Sequence, residues 1–103
     1  MTIVLAERVW LEAALGRTQG GDYQLSGDYG QEPITVVLSP GLIQRLSFKG
    51  REEAILAMRH RIEEAATKQM EREGAHRYFR GASRRECLLV VLTGDELWPA
   101  QLQ

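Results

Sequence analysis

One cysteine, Cys87, leaves a 103-residue chain nothing from which to build an internal disulfide framework. Histidine is almost as scarce. His60 and His76 stand 16 residues apart, and Cys87 follows 11 residues after the second. That spacing matches no recognised zinc set, which needs three or four ligands. Long apolar runs are missing too. The longest, Cys87 to Leu92, has six residues, against the ~20 that cross a bilayer as a helix. The first residues carry only a short apolar stretch, Ile3 to Ala6, broken at once by Glu7 and Arg8. They lack the basic start, longer apolar segment and cleavage site of a secretory signal. The expectation is a cytoplasmic protein with no membrane association.

Catalytic signatures are equally thin. Ser39 is not set in Gly-x-Ser-x-Gly. The glycines at 16, 20, 21, 27 and 30 make neither a phosphate loop nor a dinucleotide fingerprint. Glu52-Glu53 and Glu63-Glu64 are neighbours in sequence, so on a helix they point apart, which is the wrong arrangement for paired acid/base work. Cys87 opens an apolar run, where a small buried hydrophobe is the ordinary role. The sequence therefore predicts no enzyme, no cofactor and no metal.

What remains is an ordinary globular composition. Apolar residues are 44 % of the chain and charged residues 26 %, which excludes a disordered polypeptide and suits one domain over 1–103. The net charge of −1 is unevenly spread. Residues 1–43 carry a balance of −3, residues 44–85 a balance of +5, and residues 86–103 a balance of −3. Mixed surfaces of this kind are normal, and neutralisation across the fold accounts for them.

Periodicity supplies the elements. Ala6 to Leu15 is rich in helix formers, with Val9, Trp10, Ala13 and Ala14 at helical spacing, and reads as a short helix after a possible strand over Thr2 to Leu5. Tyr23 and Leu25 lie on one face of a strand over 22–27. Ile34-Thr-Val-Val-Leu38 is a β-branched strand. Asp28, Gly30 and Pro33 between them mark a hairpin loop longer than two residues. Ser39-Pro40 is a helix start, opening a short turn that carries Leu42, Ile43 and Leu46 inward, with Phe48 packed nearby. Residues 51–73 form one long amphipathic helix, its apolar stripe running through Ile55, Met58, Ile62, Ala65, Ala66, Gln69 and Met70. Arg59 with Glu63, and Lys68 with Glu64 and Arg72, read as exposed positions, where such pairs are worth ~0.2–0.5 kcal/mol each. Residues 75–85 read as a surface loop. Cys87 to Leu92 suits a buried central strand. Thr93 and Glu96 form a capping box before Trp98-Pro99, and Ala100 to Gln103 read as a loose end. The fold class is α+β: a small, three-stranded, mainly antiparallel sheet covered by one long helix, with short extra helices.

Four stretches carry a family likeness: Tyr23-Gln-Leu-Ser-Gly27 with Ile34-Thr-Val-Val-Leu-Ser39, Leu42-Ile-Gln-Arg-Leu46, Arg59-His-Arg-Ile-Glu-Glu-Ala-Ala66, and Val90-Val-Leu-Thr-Gly-Asp-Glu-Leu97. Across residues 22–97 the chain resembles the bacterial family known as domain of unknown function 1488, whose members are small α+β proteins. The resemblance implies the fold and brings no catalytic residues with it.

One segment invites a functional reading. Arg77, Arg80, Arg84 and Arg85, with Arg72 and Lys68, flank Tyr78 and Phe79. Arginine beside aromatics suits a protein interface, including one between two copies of this chain, to which Trp10 and Trp98 could add contacts. It also suits nucleic acid, although a pI near 6.1 speaks against a dedicated nucleic-acid module. The plain alternative is a solvated loop whose aromatics close onto the core.

Overall fold

The computed structural model describes residues 7–46, 49–74, 76–80 and 85–97; at 76–80 and 85 the description is of the backbone. Five strands and three helices follow one another as β1 (Val9–Arg17), β2 (Tyr23–Tyr29), β3 (Glu32–Leu38), α1 (Pro40–Ile43), α2 (Arg51–Ala57), α3 (Arg59–Glu73), β4 (His76–Arg80) and β5 (Arg85–Leu92). The strands form one mixed sheet in the order β1-β2-β3-β5-β4. The α+β class stands. The expected three-stranded, mainly antiparallel sheet is corrected to five strands, of which β3 and β5 run parallel.

The first correction is β1, expected as a helix over 6–15. Its core side follows a period of two: Val9 and Leu11 are buried, Trp10 and Glu12 exposed. Pairing with β2 overrides the helix propensity of the Ala-Ala-Leu stretch. The register slips between Leu11 and Leu15, so β1 bulges out over Glu12 to Ala14. Beside the bulge the strands press close. A Cβ on Gly27 would lie 1.7 Å from the Trp10 carbonyl oxygen, so only a residue without a side chain fits there.

The β2–β3 hairpin turns through two residues, Gly30 and Gln31, rather than the longer loop expected. Gly30 takes the left-handed conformation this needs, with φ of 63°. Pro33, which looked like part of the turn, lies inside β3. The pair Tyr29–Glu32 closes the hairpin, so Pro33 falls at a position where its missing N–H faces away from β2. It also precedes Ile34, where pairing with β5 begins, so no ladder bond is lost.

The local helix signals are realised. The Ser39 hydroxyl accepts from the Leu42 N–H at 3.4 Å, and Pro40 occupies the first turn of α1. Leu42 is buried, and Ile43 and Leu46 are partly so. The single helix expected over 51–73 is two helices. Met58, at φ −90° and ψ 6°, leaves helical geometry between them. The ladder nearly continues across it: Met58 N–H reaches Ala54 O at 3.1 Å, and Ile62 N–H reaches Met58 O at 2.9 Å. The stripe keeps its direction. Ile55, Ile62, Ala65 and Ala66 are buried against the sheet, with Met58 and Met70 partly buried beside them.

Residues 76–80, expected as loop, are the edge strand β4, antiparallel to β5. A polar, basic edge strand lacks the apolar alternation by which strands are recognised. After β5 the Thr93–Glu96 box is half formed. The Glu96 carboxylate accepts the Thr93 and Gly94 N–H groups at 3.0 Å each, while the Thr93 hydroxyl turns to the same carboxylate. The result is a turn, not a helix. Thr2–Leu5, Phe48, Arg84, Trp98-Pro99 and Ala100–Gln103 lie outside the described residues.

Candidate interaction surface

Period two sends alternate residues of each strand to opposite sides of the sheet. On β3, Ile34, Val36 and Leu38 go to the helices; on β5, Leu88, Val90 and Leu92 do the same, and all six are buried. The residues between them face the other way: Thr35 and Val37 on β3, Cys87, Leu89 and Val91 on β5. The register sets Thr35 beside Leu89 and Val37 beside Val91. Thr35 and Cys87 are buried, with oxygen and sulfur 3.5 Å apart. Val37 and Leu89 are half-buried, and Val91 is 40 % exposed.

Among the described residues no helix packs on this second side. α3 touches β1 and β5 from the first side, and α2 touches β1. The second side is divided. Its β1–β2 half is polar apart from Trp10, with Glu12, Gln24, Ser26 and Asp28. Trp10 is 56 % exposed and stands across from Asp28. Its β3–β5 half is apolar. An antiparallel sheet with one wet face normally shows polar residues there, whereas apolar residues on both sides mark strands covered twice.

The two edges of the sheet differ as well. At β1 the outer backbone groups of Val9 and Leu11 are taken by side chains spaced four apart along α3. Arg59 donates to Leu11 O at 2.9 Å. A Glu63 oxygen accepts the Leu11 N–H at 2.7 Å. The Thr67 hydroxyl accepts the Val9 N–H at 2.9 Å and donates to Glu63 O at 2.8 Å. The expected exposed pair Arg59–Glu63 is therefore corrected: both residues clamp an edge strand. The other Glu63 oxygen meets His60 Nδ1 at 2.9 Å, with His60 itself exposed. The expected Lys68–Glu64 pair is present and exposed, at 3.4 Å. The clamp was missed because Arg, Glu and Thr at this spacing read as a solvated face. The one available signal was their i, i+4, i+8 alignment beside the apolar stripe.

Of the basic residues singled out from sequence, Arg77, Tyr78, Phe79 and Arg80 lie in β4, paired with Leu88, Cys87, Glu86 and Arg85 respectively. Arg85 opens β5. They are brought together as a hairpin against the apolar half of the sheet, not as a free loop. Arg84 lies outside the described residues.

A second concavity of about 550 Å³ opens where the 18–22 loop meets α1 and the start of α2. Two of its charged groups, Arg17 and Glu52, are linked through Tyr23. Arg17 donates to Gly21 O at 3.0 Å and to the Tyr23 hydroxyl at 2.7 Å, with its guanidinium 3.9 Å from the Tyr23 ring centre. Tyr23 in turn reaches Glu52 at 3.4 Å. Arg17 and Glu52 are 4.0 Å apart and more than half exposed, so their attraction contributes under about 1 kcal/mol. The cluster fastens a corner of the fold. Cys87 is buried, and no group of three or more His, Cys, Asp or Glu is placed to hold a metal among the described residues. Among them no helix is long and apolar enough to cross a membrane.

Comparison with protein-family models, curated proteins and solved structures finds no match.

Proposed function

We propose that the chain is a non-catalytic protein-interaction or regulatory module whose contact surface is the apolar β3–β5 half of the helix-free sheet face. The observation that carries this is the double-sided apolar character of β3 and β5, set against helices on one side alone among the described residues. A flat, apolar protein surface fits such a face, with Trp10 as a rim contact. The candidate partner-binding residues Arg77, Tyr78, Phe79, Arg80, Arg84 and Arg85 belong to the hairpin bordering it. The likeness to domain of unknown function 1488 and a cytoplasmic location are parts of the same proposal, consistent with a single buried thiol.

Nucleic-acid binding through 75–85 is the weaker alternative. The charged residues described on the helix-free face, Glu12 and Asp28, are acidic, and phosphate binding needs the opposite sign.

The test is affinity purification with mass spectrometry on the wild-type chain and on Val91→Glu in parallel, with a nuclease-treated arm. Partners retained by the wild type and lost from a folded Val91→Glu support the reading. Identical partner sets from both proteins, or partners that vanish with nuclease, overturn it.

A further inference from the structure

Resting on the proposed use of the helix-free face for a protein partner, we infer that its β1–β2 half takes a basic segment of that partner. An arginine of the segment sits beside Trp10, against the carboxylates of Glu12 and Asp28.

The surface is open to such a segment. Trp10 is 56 % exposed, and Glu12 and Asp28 are exposed with it. The fold joins the three by two routes. Asp28 stands directly across from Trp10 in the β1–β2 register, where opposed side chains start ~5 Å apart. Glu12 follows Trp10 by two residues and returns to the same side of the sheet. Next to the bulge in β1 lies an open concavity of about 330 Å³, lined by Glu12, Gln24, Ser26 and Asp28 among others. Gly16, set across from Gln24, adds no side chain and leaves it room.

Charge selects the sign of the occupant. Among the described residues, neither Glu12 nor Asp28 takes part in an ion pair. Arg8, two residues before Trp10, lines a different concavity with Glu64 and Lys68 of α3. Arg17, at the far end of β1, is held over the Tyr23 ring. Two unneutralised carboxylates on one concavity draw a cation and repel phosphate. No third acidic or imidazole group joins them to hold a metal among the described residues.

Tryptophan narrows the choice. Indole is the best aromatic surface for a cation. A planar guanidinium stacks on it while its fork of N–H donors reaches a carboxylate beside the ring, whereas an ammonium group is a compact, strongly hydrated point charge. Tryptophan and arginine are also the residues that dominate protein interfaces, which favours a protein segment over a free small cation. Gln24 and Ser26 offer donors and acceptors to its backbone.

The test is titration of the intact chain, at low salt, with a short end-blocked Gly-Ser peptide carrying two arginines, followed through backbone amide shifts. Matched peptides carry citrulline, which keeps the shape and loses the charge, or lysine. Shifts are expected at 10–12 and 24–28, with the citrulline peptide silent and the lysine peptide severalfold weaker. Asp28→Asn should weaken the arginine peptide by about tenfold, and Trp10→Leu by about fivefold. Glu71→Gln, an exposed change on α3, should leave it unaltered. If Trp10→Leu fails to fold, Asp28→Asn combined with Glu12→Gln replaces it. No shifts at millimolar arginine peptide overturn the inference. So do shifts scattered over other acidic surfaces, or binding that Asp28→Asn and Trp10→Leu leave intact. Equal binding of spermidine and the arginine peptide reduces the site to counterion attraction and overturns it as well. Val91→Glu separates this inference from the proposed function. Arginine-peptide binding that persists while Val91→Glu keeps its whole partner set upholds this site and removes the apolar half. Partners lost from Val91→Glu, with no peptide bound by the wild type, do the reverse.

Discussion

The two sides of the central sheet are built from the same strands and serve different ends. On the helix side, Ile34, Val36, Leu38, Leu88, Val90 and Leu92 meet Ile55, Ile62, Ala65 and Ala66 and are sealed from water. On the other side, one residue along, Val37, Leu89 and Val91 keep contact with solvent while remaining apolar. One residue of displacement along a strand thus separates a structural role from a surface one. Stability should respond strongly to changes on the first side and weakly on the second, while association should respond the other way round.

Four substitutions sharpen or break this contrast. Ile62→Ala empties the centre of the α3 contact and should lower unfolding free energy by about 2–5 kcal/mol, measured by urea denaturation. A loss below 1 kcal/mol would mean that the helix is not seated on the sheet. Gly27→Ala forces a Cβ toward the Trp10 carbonyl, and the strands must part, at about 1–3 kcal/mol. Its neighbour Ser26→Ala is the control and should change little. Thr67→Val keeps the side-chain volume and leaves the buried Val9 N–H without its acceptor, costing about 1–3 kcal/mol. Hydrogen exchange should quicken first at Val9 and Leu11. Val91→Thr, on the helix-free side, should change the unfolding free energy by no more than about 0.5 kcal/mol while diminishing partner capture. A large stability loss there would show that the residue is core after all.

Much of the fold was legible because its signals are local. The Ser39-Pro40 start, the β-branched run at 34–38, the apolar run at 87–92 and the stripe from Ile55 to Met70 each announce themselves within a few residues. Elements defined by distant partners did not. β1 carries helix-forming residues and becomes a strand because β2 pairs one of its edges and α3 takes the other. β4 has no apolar alternation and is ordered by its register with β5. The parallel pairing of β3 and β5 spans α1, α2, α3 and β4, and no short-range pattern encodes it. Pro33 misled for a related reason: a proline marks a turn unless, as here, its missing donor coincides with a gap in the ladder. The candidate surface was half legible. A six-residue apolar run says that β5 is covered on two sides, and only the fold reveals that helices cover one.

The row of Arg59, Glu63 and Thr67 along α3 also bears on how far these molecules can assemble. Sheets that lengthen without limit do so by recruiting strand after strand at both rims. Here one rim is already occupied by the chain's own helix, as a plug occupies a socket. Over Val9 to Leu11 a recruited strand would find those backbone groups already engaged, so that stretch of the rim resists extension into fibres.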